Sequence, residues 1–338
     1  MKNAQHVISA CLAASLLLPL GACAAPTAQQ GSASATEQAT EVTSSPSAST
    51  GTQTAQALTA EAEAYKQRLQ SCKQQIEAIT DFKPEIVVVL GSGLGDYVNS
   101  LDVKQSISYK DIEGWPVSTA PDHAGNLVFA EYHGHKLAVM QGRLHHYEGY
   151  SEQEVVLPLR VLHLLGANTV ILSNATGSLN PDFRAGEFVC VRDQISSFIE
   201  SPLIGPNDDE MGERFFEMTN AFDQEMQDTV LKLGEENGIP VHSGVYIQVP
   251  GPQFETPAEI NMFRTLGADT IAMSLADEVL AARHMGMKVC AINCISNMAA
   301  GMEDESFDTQ SVIDSVSSQV DSFQTLVNGL IDSLPASA

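Results

Sequence analysis

Apolar residues along this chain follow two periods, and segments of the two kinds alternate. Leu58, Ala62, Tyr65, Leu69, Cys72, Ile76 and Ile79 recur at steps of four and three, which predicts an amphipathic helix laid on a larger body. After Pro84, Glu85-Ile86-Val87-Val88-Val89-Leu90 is a continuous β-branched run, the pattern of a strand covered on both faces, and it ends in Gly91-Ser92-Gly93-Leu94-Gly95. Leu137-Ala138-Val139-Met140 is a second buried run of this kind. Helix-like segments at 155–165, 222–236, 257–266 and 276–285 then alternate with strand-like runs at 169–172, 241–249, 270–273 and 289–295. A helix over 309–334 closes the chain. Alternation without an internal repeat predicts a single α/β domain with a central mixed, largely parallel β-sheet flanked by helices. In such sheets the ligand crevice lies at the carboxyl ends of the strands, and the polar clusters of this chain fall there.

The first 57 residues do not share the alternation. Lys2 and His6 give a short polar start, and residues 7–20 form an apolar run too short to span a bilayer comfortably. The run leads into Leu20-Gly21-Ala22-Cys23, which resembles a bacterial lipobox, where small residues precede a Cys that is lipidated and becomes the mature N-terminus. An ordinary secretory signal cut near Ala22 or Ala25 is the alternative. From 24 to 57 the composition collapses to Ala, Ser, Thr, Gln and Gly, which cannot bury enough apolar surface to fold. The expected organisation is a signal peptide at 1–22, a disordered tether at 23–57 and a globular body at 58–338. That arrangement implies an exported protein anchored by lipid on Cys23 to the outer face of the bacterial cell membrane.

The formal net charge is −25, with 17 Lys and Arg against 42 Asp and Glu. A broad contact with nucleic acid or an anionic bilayer needs basic patches, and this balance excludes it. An anionic small substrate has to be held by a few local cationic groups. Beyond Cys11 and Cys23 the cysteines are Cys72, Cys190, Cys290 and Cys294, without the paired spacing of a zinc site. Cys290 and Cys294 fall on one predicted strand, about 13 Å apart by strand rise, too far to bridge. Buried free thiols are expected.

The chemistry-bearing residues cluster in three places. In Gln141-Gly142-Arg143-Leu144-His145-His146-Tyr147, which follows a buried run, Arg143 and His145 share a face if the chain is still extended. A planar guanidinium suits an oxyanion, and a histidine can hydrogen-bond to one and move a proton. Gly91-Ser92-Gly93 can present backbone N–H groups and a hydroxyl to the same anion, although alone it reads equally well as a structural turn. Ser92, Arg143, His145, a backbone N–H near Ala175 and Ser274 together would enclose one small tetrahedral anion. In Val249-Pro250-Gly251-Pro252-Gln253-Phe254-Glu255-Thr256, Phe254 can stack on a flat ring and Glu255 can hydrogen-bond to ring N–H groups. Asn297, at the end of the last strand-like run, can donate and accept on one face. His133-Gly134-His135 is read as an exposed hairpin tip and not a metal clip, His146 and His163 as structural, and Asp208-Asp209-Glu210 as a solvated loop.

With these stretches in view, the chain resembles the purine nucleoside phosphorylases of the trimeric, 6-oxopurine-specific class. The resemblance runs in order through Gly91-Ser92-Gly93-Leu94-Gly95, Pro121-Asp122-His123-Ala124-Gly125, Gln141-Gly142-Arg143, Tyr147-Glu148-Gly149-Tyr150, Gly251-Pro252-Gln253-Phe254-Glu255-Thr256, Met273-Ser274 and Ser296-Asn297-Met298. It covers roughly residues 60 to 335. It implies a phosphate site at Ser92, His123, Arg143, His145, the backbone at Ala175, and Ser274. It implies catalytic roles for Asn297, Glu255 and His145, with Phe254 against the base and Tyr147, Tyr246 and Met273 lining the ribose. Phe215 would reach into a neighbour's ribose site, which implies a homotrimer. The implied reaction is phosphorolysis of (deoxy)inosine and (deoxy)guanosine in purine salvage. Inorganic phosphate is the co-substrate, and no metal or organic cofactor takes part. Thr309 takes the place of a family histidine that reaches the ribose 5′-hydroxyl, and Ala272 that of a glycine. A nucleoside-binding surface lipoprotein without turnover, or phosphorolysis of a 5′-modified nucleoside, is the alternative.

Overall fold

The computed structural model describes residues 48–120, 123–303 and 308–335. The signal, Cys23 and most of the expected tether lie outside them, as do Pro121 and Asp122.

In chain order the elements are α1 (Ala48–Ile79), β1 (Ile86–Val89), β2 (Asp102–Ser108), β3 (Asn126–Tyr132), β4 (His135–Gln141), α2 (Glu152–Val155), α3 (Leu157–Leu164), β5 (Thr169–Leu172), β6 (Ala175–Ser178) and β7 (Phe188–Ile195). They continue with α4 (Gln224–Asn237), β8 (Val241–Gln248), α5 (Pro257–Thr265), β9 (Thr270–Ala272), α6 (Ala276–His284), β10 (Lys288–Met298), α7 (Thr309–Ser317) and α8 (Val320–Ser333). The ten strands form one sheet in the order β2-β3-β4-β1-β5-β10-β6-β9-β8-β7, and β7 pairs back onto β10. Six pairings are parallel and four antiparallel, the mixed and largely parallel sheet that the sequence predicts. The long strand β10 belongs to both halves. Its first residues run beside β5 in the open part, and its later residues close β6, β9, β8 and β7 into a barrel-like ring.

Burial explains which strands were visible in the sequence. β1 and β5 are buried at every position and read as continuous apolar runs. β2 is an edge strand with one buried residue, Ile107, and β6 is Ala-Thr-Gly-Ser, so neither carries a hydrophobic signature. Two apolar layers cover the sheet. One gathers Leu69, Cys72 and Ile76 of α1 with α3 and α6, and the other gathers Phe323, Leu326, Val327 and Leu330 of α8 with α4. Cys72, Cys190, Cys290 and Cys294 are buried free thiols.

Three expectations are adjusted. Helix α1 is already under way at Ala48, the first described residue, so residues 48–57 are helical where a tether was expected, and no proline interrupts the ladder from 48 to 79. The single closing helix is two, α7 and α8. Ser318 turns its hydroxyl onto the Ser315 carbonyl at 2.6 Å, a local bond that competes with helical continuation. The β3–β4 hairpin does turn at His133-Gly134, but His135 is buried and bonded to Glu85 at 2.7 Å, so only His133 belongs to the exposed tip. His133 faces Asp332 at 2.7 Å.

Candidate active site

A cavity of about 300 Å³ opens where β1, β4, β6, β9 and β10 end, and it separates into two chemically distinct ends. At the first end, β1 runs into Gly91, where a Cβ would lie 2.6 Å from Asn174 Cα, so only glycine lets this exit pass beneath the start of β6. The strand β4 ends at Gln141, and Gly142 turns with φ 107° in contact with His123. That turn sends the Arg143 side chain inward, where it is 1% exposed. One Nη donates to the Ser173 carbonyl and the other to Glu278 Oε2 at 2.8 Å. Nε remains buried with no protein partner. A buried guanidinium N–H beside an open cavity is a donor that calls for an acceptor, and an oxyanion is the one that matches its charge.

His145 stands beside it, with Nδ1 3.0 Å from Glu148 Oε1, and Glu148 also accepts from the His145 backbone N–H. Burial works to raise the Glu148 carboxyl, but hydrogen bonds from His145 and from the N–H and hydroxyl of Thr119 outweigh it and bring it down to about 2. Glu148 is therefore ionised and fixes the His145 proton on Nδ1, leaving Nε2 as the ring's acceptor. Burial holds His145 below the ordinary histidine range, against the pull of Glu148. His123 stacks on His145 with centroids 5.2 Å apart, and Tyr147 stacks on its other face at 4.6 Å. Burial, then the facing His145, lowers His123 to about 4. Its Nδ1 lies 2.9 Å from the Arg143 carbonyl, and its Nε2 3.3 Å from Ser92 Oγ. Ser92, Ala175 and Ser274 complete this end of the cavity. Leu275, directly after Ser274, has φ 94°, a strained non-glycine conformation in the turn that delivers the hydroxyl.

The second end is lined by Phe254, Glu255, Met273 and Asn297. Asn297 sits where the register between β10 and β6 slips, an irregularity that re-aims a side chain. Its amide is oriented by Ser296 Oγ donating to Oδ1 at 2.6 Å and by Nδ2 donating to the Met298 carbonyl at 2.9 Å. Glu255 precedes the capping box of α5, in which Thr256 and Glu259 satisfy each other's backbone. Burial raises the Glu255 carboxyl above its usual range. Thr309 and Val312 of α7 form a further wall.

The cavity thus brings together Ser92, Arg143, His145, Tyr147, Ala175, Phe254, Glu255, Met273, Ser274 and Asn297, drawn from across the chain. His123 lies behind its wall, bonded to Ser92. Tyr246 is fully buried and donates to the Ser274 carbonyl, so it supports the wall from beneath and does not line the cavity. Phe215 is 87% exposed and stands away from it. Sequence reasoning missed Glu278, the acid that grips Arg143. It sits in the first turn of α6, where an acid reads as a complement to the helix dipole.

A pair of acids, Glu152 and Asp277, lies behind the same wall. Glu152 and Asp277 are 4% and 1% exposed and close enough to hydrogen-bond carboxyl to carboxyl. Gln248 donates to Asp277 Oδ2 at 2.7 Å, and Glu152 Oε1 is 3.2 Å from His146 Nδ1. Glu152 Oε2 and Asp277 Oδ1 have no donor, the place for one shared proton. Burial raises both carboxyls, and the charge of Glu152 raises Asp277 further.

The Phosphorylase superfamily model matches residues 85–332. Purine nucleoside phosphorylase 1 of Bacillus subtilis is 39% identical over 266 residues, which is 79% of this chain and 98% of that one. A crystal structure of Schistosoma mansoni purine nucleoside phosphorylase with inosine superposes with TM-score 0.74 at 34% identity, over 80% of this chain and 97% of that one. The isoform 2 enzyme of the same organism, with cytosine and ribose-1-phosphate, gives TM-score 0.76 at 36% identity, over 80% of this chain and 98% of that one.

Proposed function

This chain belongs to the purine nucleoside phosphorylase family, and on that premise we propose that it cleaves inosine, guanosine and their deoxy forms with phosphate. The products are the free purine and a (deoxy)ribose 1-phosphate. The observation that carries this reading is the two-ended cavity: a buried arginine with an unpartnered Nε at one end, and an oriented amide beside a carboxyl at the other.

Phosphate at the first end is held by Arg143, Ser92, the N–H at Ala175, Ser274 and His145, whose Nε2 accepts from a P–OH. It faces the sugar on the side opposite the base. As the glycosidic C–N bond lengthens, its electron pair moves into the purine and the sugar becomes oxocarbenium-like. A phosphate oxygen then bonds to the anomeric carbon, and the purine anion takes a proton from solvent and leaves as the neutral base. Asn297 donates its remaining amide N–H to the purine more strongly as negative charge grows there, which lowers the barrier and not merely the binding energy, while Glu255 accepts from ring N–H groups and fixes the base. Holding both reactants in one cavity removes much of the entropic cost of their encounter. The reaction drawn this way uses no metal or organic cofactor. An amide can serve a 6-carbonyl and the adjoining ring nitrogen together, hence the preference for 6-oxopurines. Tyr147 and Met273 flank the sugar, and the shorter Thr309 stands toward its 5′ end.

Phe215 is assigned to a neighbouring subunit's ribose site in a homotrimer, and its 87% exposure on a lone chain supports that role. The lipobox-like Leu20-Gly21-Ala22-Cys23 supports lipidation at Cys23, export, and salvage of purine nucleosides met outside the cell. Cys23→Ser is expected to release the protein from membranes, and continued membrane fractionation defeats the anchor. Product analysis after incubation with phosphate and inosine, guanosine or adenosine tests the reaction. Hypoxanthine and guanine, each with a sugar 1-phosphate, are expected to outpace adenine. Preferential release of adenine contradicts the base assignment.

A further inference from the structure

Arg160 lies on α3, outside the cavity just described, and is 5% exposed. Among the described residues no acid pairs with its guanidinium, and its buried Nε has no hydrogen-bond partner. Its one ring contact is Tyr65, whose centroid is 5.8 Å from Cζ. A guanidinium stays charged at every pH a folded protein meets, so a buried one without an acid needs a counter-anion. Arg160 borders a separate cavity of about 120 Å³ between α1 and the 202–208 loop, shared with Lys66, Asn207 and His284. Asp208 is engaged by Lys66 at 2.8 Å, and Glu61 is exposed, so neither neutralises Arg160. His284 places Nε2 3.1 Å from Asn207 Oδ1, and its Nδ1 is a second buried nitrogen without a partner.

We propose that this cavity binds one small oxyanion of phosphate size, with the Arg160 guanidinium as its principal ligand. The volume is about four times a water's share of the liquid, enough for a tetrahedral anion. If Asn207 accepts from His284 Nε2–H, then Nδ1 carries a lone pair, which a P–OH satisfies while Arg160 takes a charged oxygen. The site is separate from the Arg143 end. Glu278, which grips Arg143, lies in the first turn of α6, and His284 ends the same helix, about 9 Å further along its axis. The site does not depend on the proposed reaction.

Equilibrium dialysis of the full chain against labelled inorganic phosphate at millimolar concentration reads the stoichiometry. Two phosphates per chain are expected in the unaltered protein and one in Arg143→Ala, and that one is lost when Arg160→Met is added. A single phosphate per unaltered chain, or none on Arg143→Ala, overturns the site. Arg160→Lys keeps the charge and the fold while removing the planar fork, and is expected to weaken the second phosphate at least tenfold. Unchanged binding in that variant overturns the role of the guanidinium. Two bound phosphates without inosine cleavage would defeat the reaction and leave this site standing, whereas cleavage with one bound phosphate does the reverse.

Discussion

The two ends of the main cavity are built on opposite principles. At the anion end, Arg143 and His145 are 1% and 7% exposed, and each is gripped by its own carboxylate. At the base end, Phe254 is 45% exposed and Glu255 half-buried, both on a loop between β8 and α5. Arg143 has its countercharge, Glu278, within the protein itself, so the anion end is organised before any anion arrives. A neutral ring can be met by a loop at little electrostatic cost. The difference teaches that losses at the anion end remove both stability and turnover, while losses at the base end act mainly on recognition.

Arg143→Ala breaks that contrast hardest. Turnover is expected to fall about 10²–10³-fold, the cost of losing one preorganised oxyanion donor. Stability falls by about 3–5 kcal/mol because Glu278 is left buried and unpaired. Denaturant unfolding checks the second effect, and the double variant with Glu278→Gln is expected to recover most of it. Asn297→Asp comes next. Inosine turnover drops about 10–100-fold through one lost hydrogen bond to a charged base, with adenosine relatively favoured and stability little changed. Comparison of kcat/KM for the two nucleosides measures it. Phe254→Ala costs about tenfold or less, expressed in nucleoside KM, in keeping with a half-exposed stacking contact.

The smallest effect concerns the Glu152–Asp277 pair. Its carboxyls are raised in the folded protein, chiefly by burial, so the folded state holds protons that the unfolded state releases from pH ~4 upward. The stability this contributes is full below that point and is lost as pH rises through the raised pKa of the pair. Thermal unfolding from pH 5 to pH 9 is expected to show that decline, and Glu152→Gln to flatten it. An identical slope in the variant removes the shared proton.

The anion and base residues were legible because strand ends collect them. Ser92, Arg143, Asn297 and the backbone at Ala175 each follow or end a strand in a sheet whose crevice position is fixed by topology. Their supports were not legible. Glu278 meets Arg143 across 135 positions of sequence, and Glu152 and Asp277 each read locally as an ordinary acid in a helix's first turn. Tyr246 has the pattern of a strand residue facing either way, and only the register of β8 against β9 turns it under Ser274. Arg160 sat unnoticed in an apolar helix because the absence of a partner is not a property of sequence. In the Ala- and Gln-rich stretch expected as tether, residues 48–57 are helical.

The most direct test of the central claim is the rate of hypoxanthine release from inosine as phosphate is titrated from zero. Saturable dependence on phosphate, with one ribose 1-phosphate formed per hypoxanthine, is the predicted result. Release at an undiminished rate without phosphate, or without sugar phosphate among the products, would contradict it.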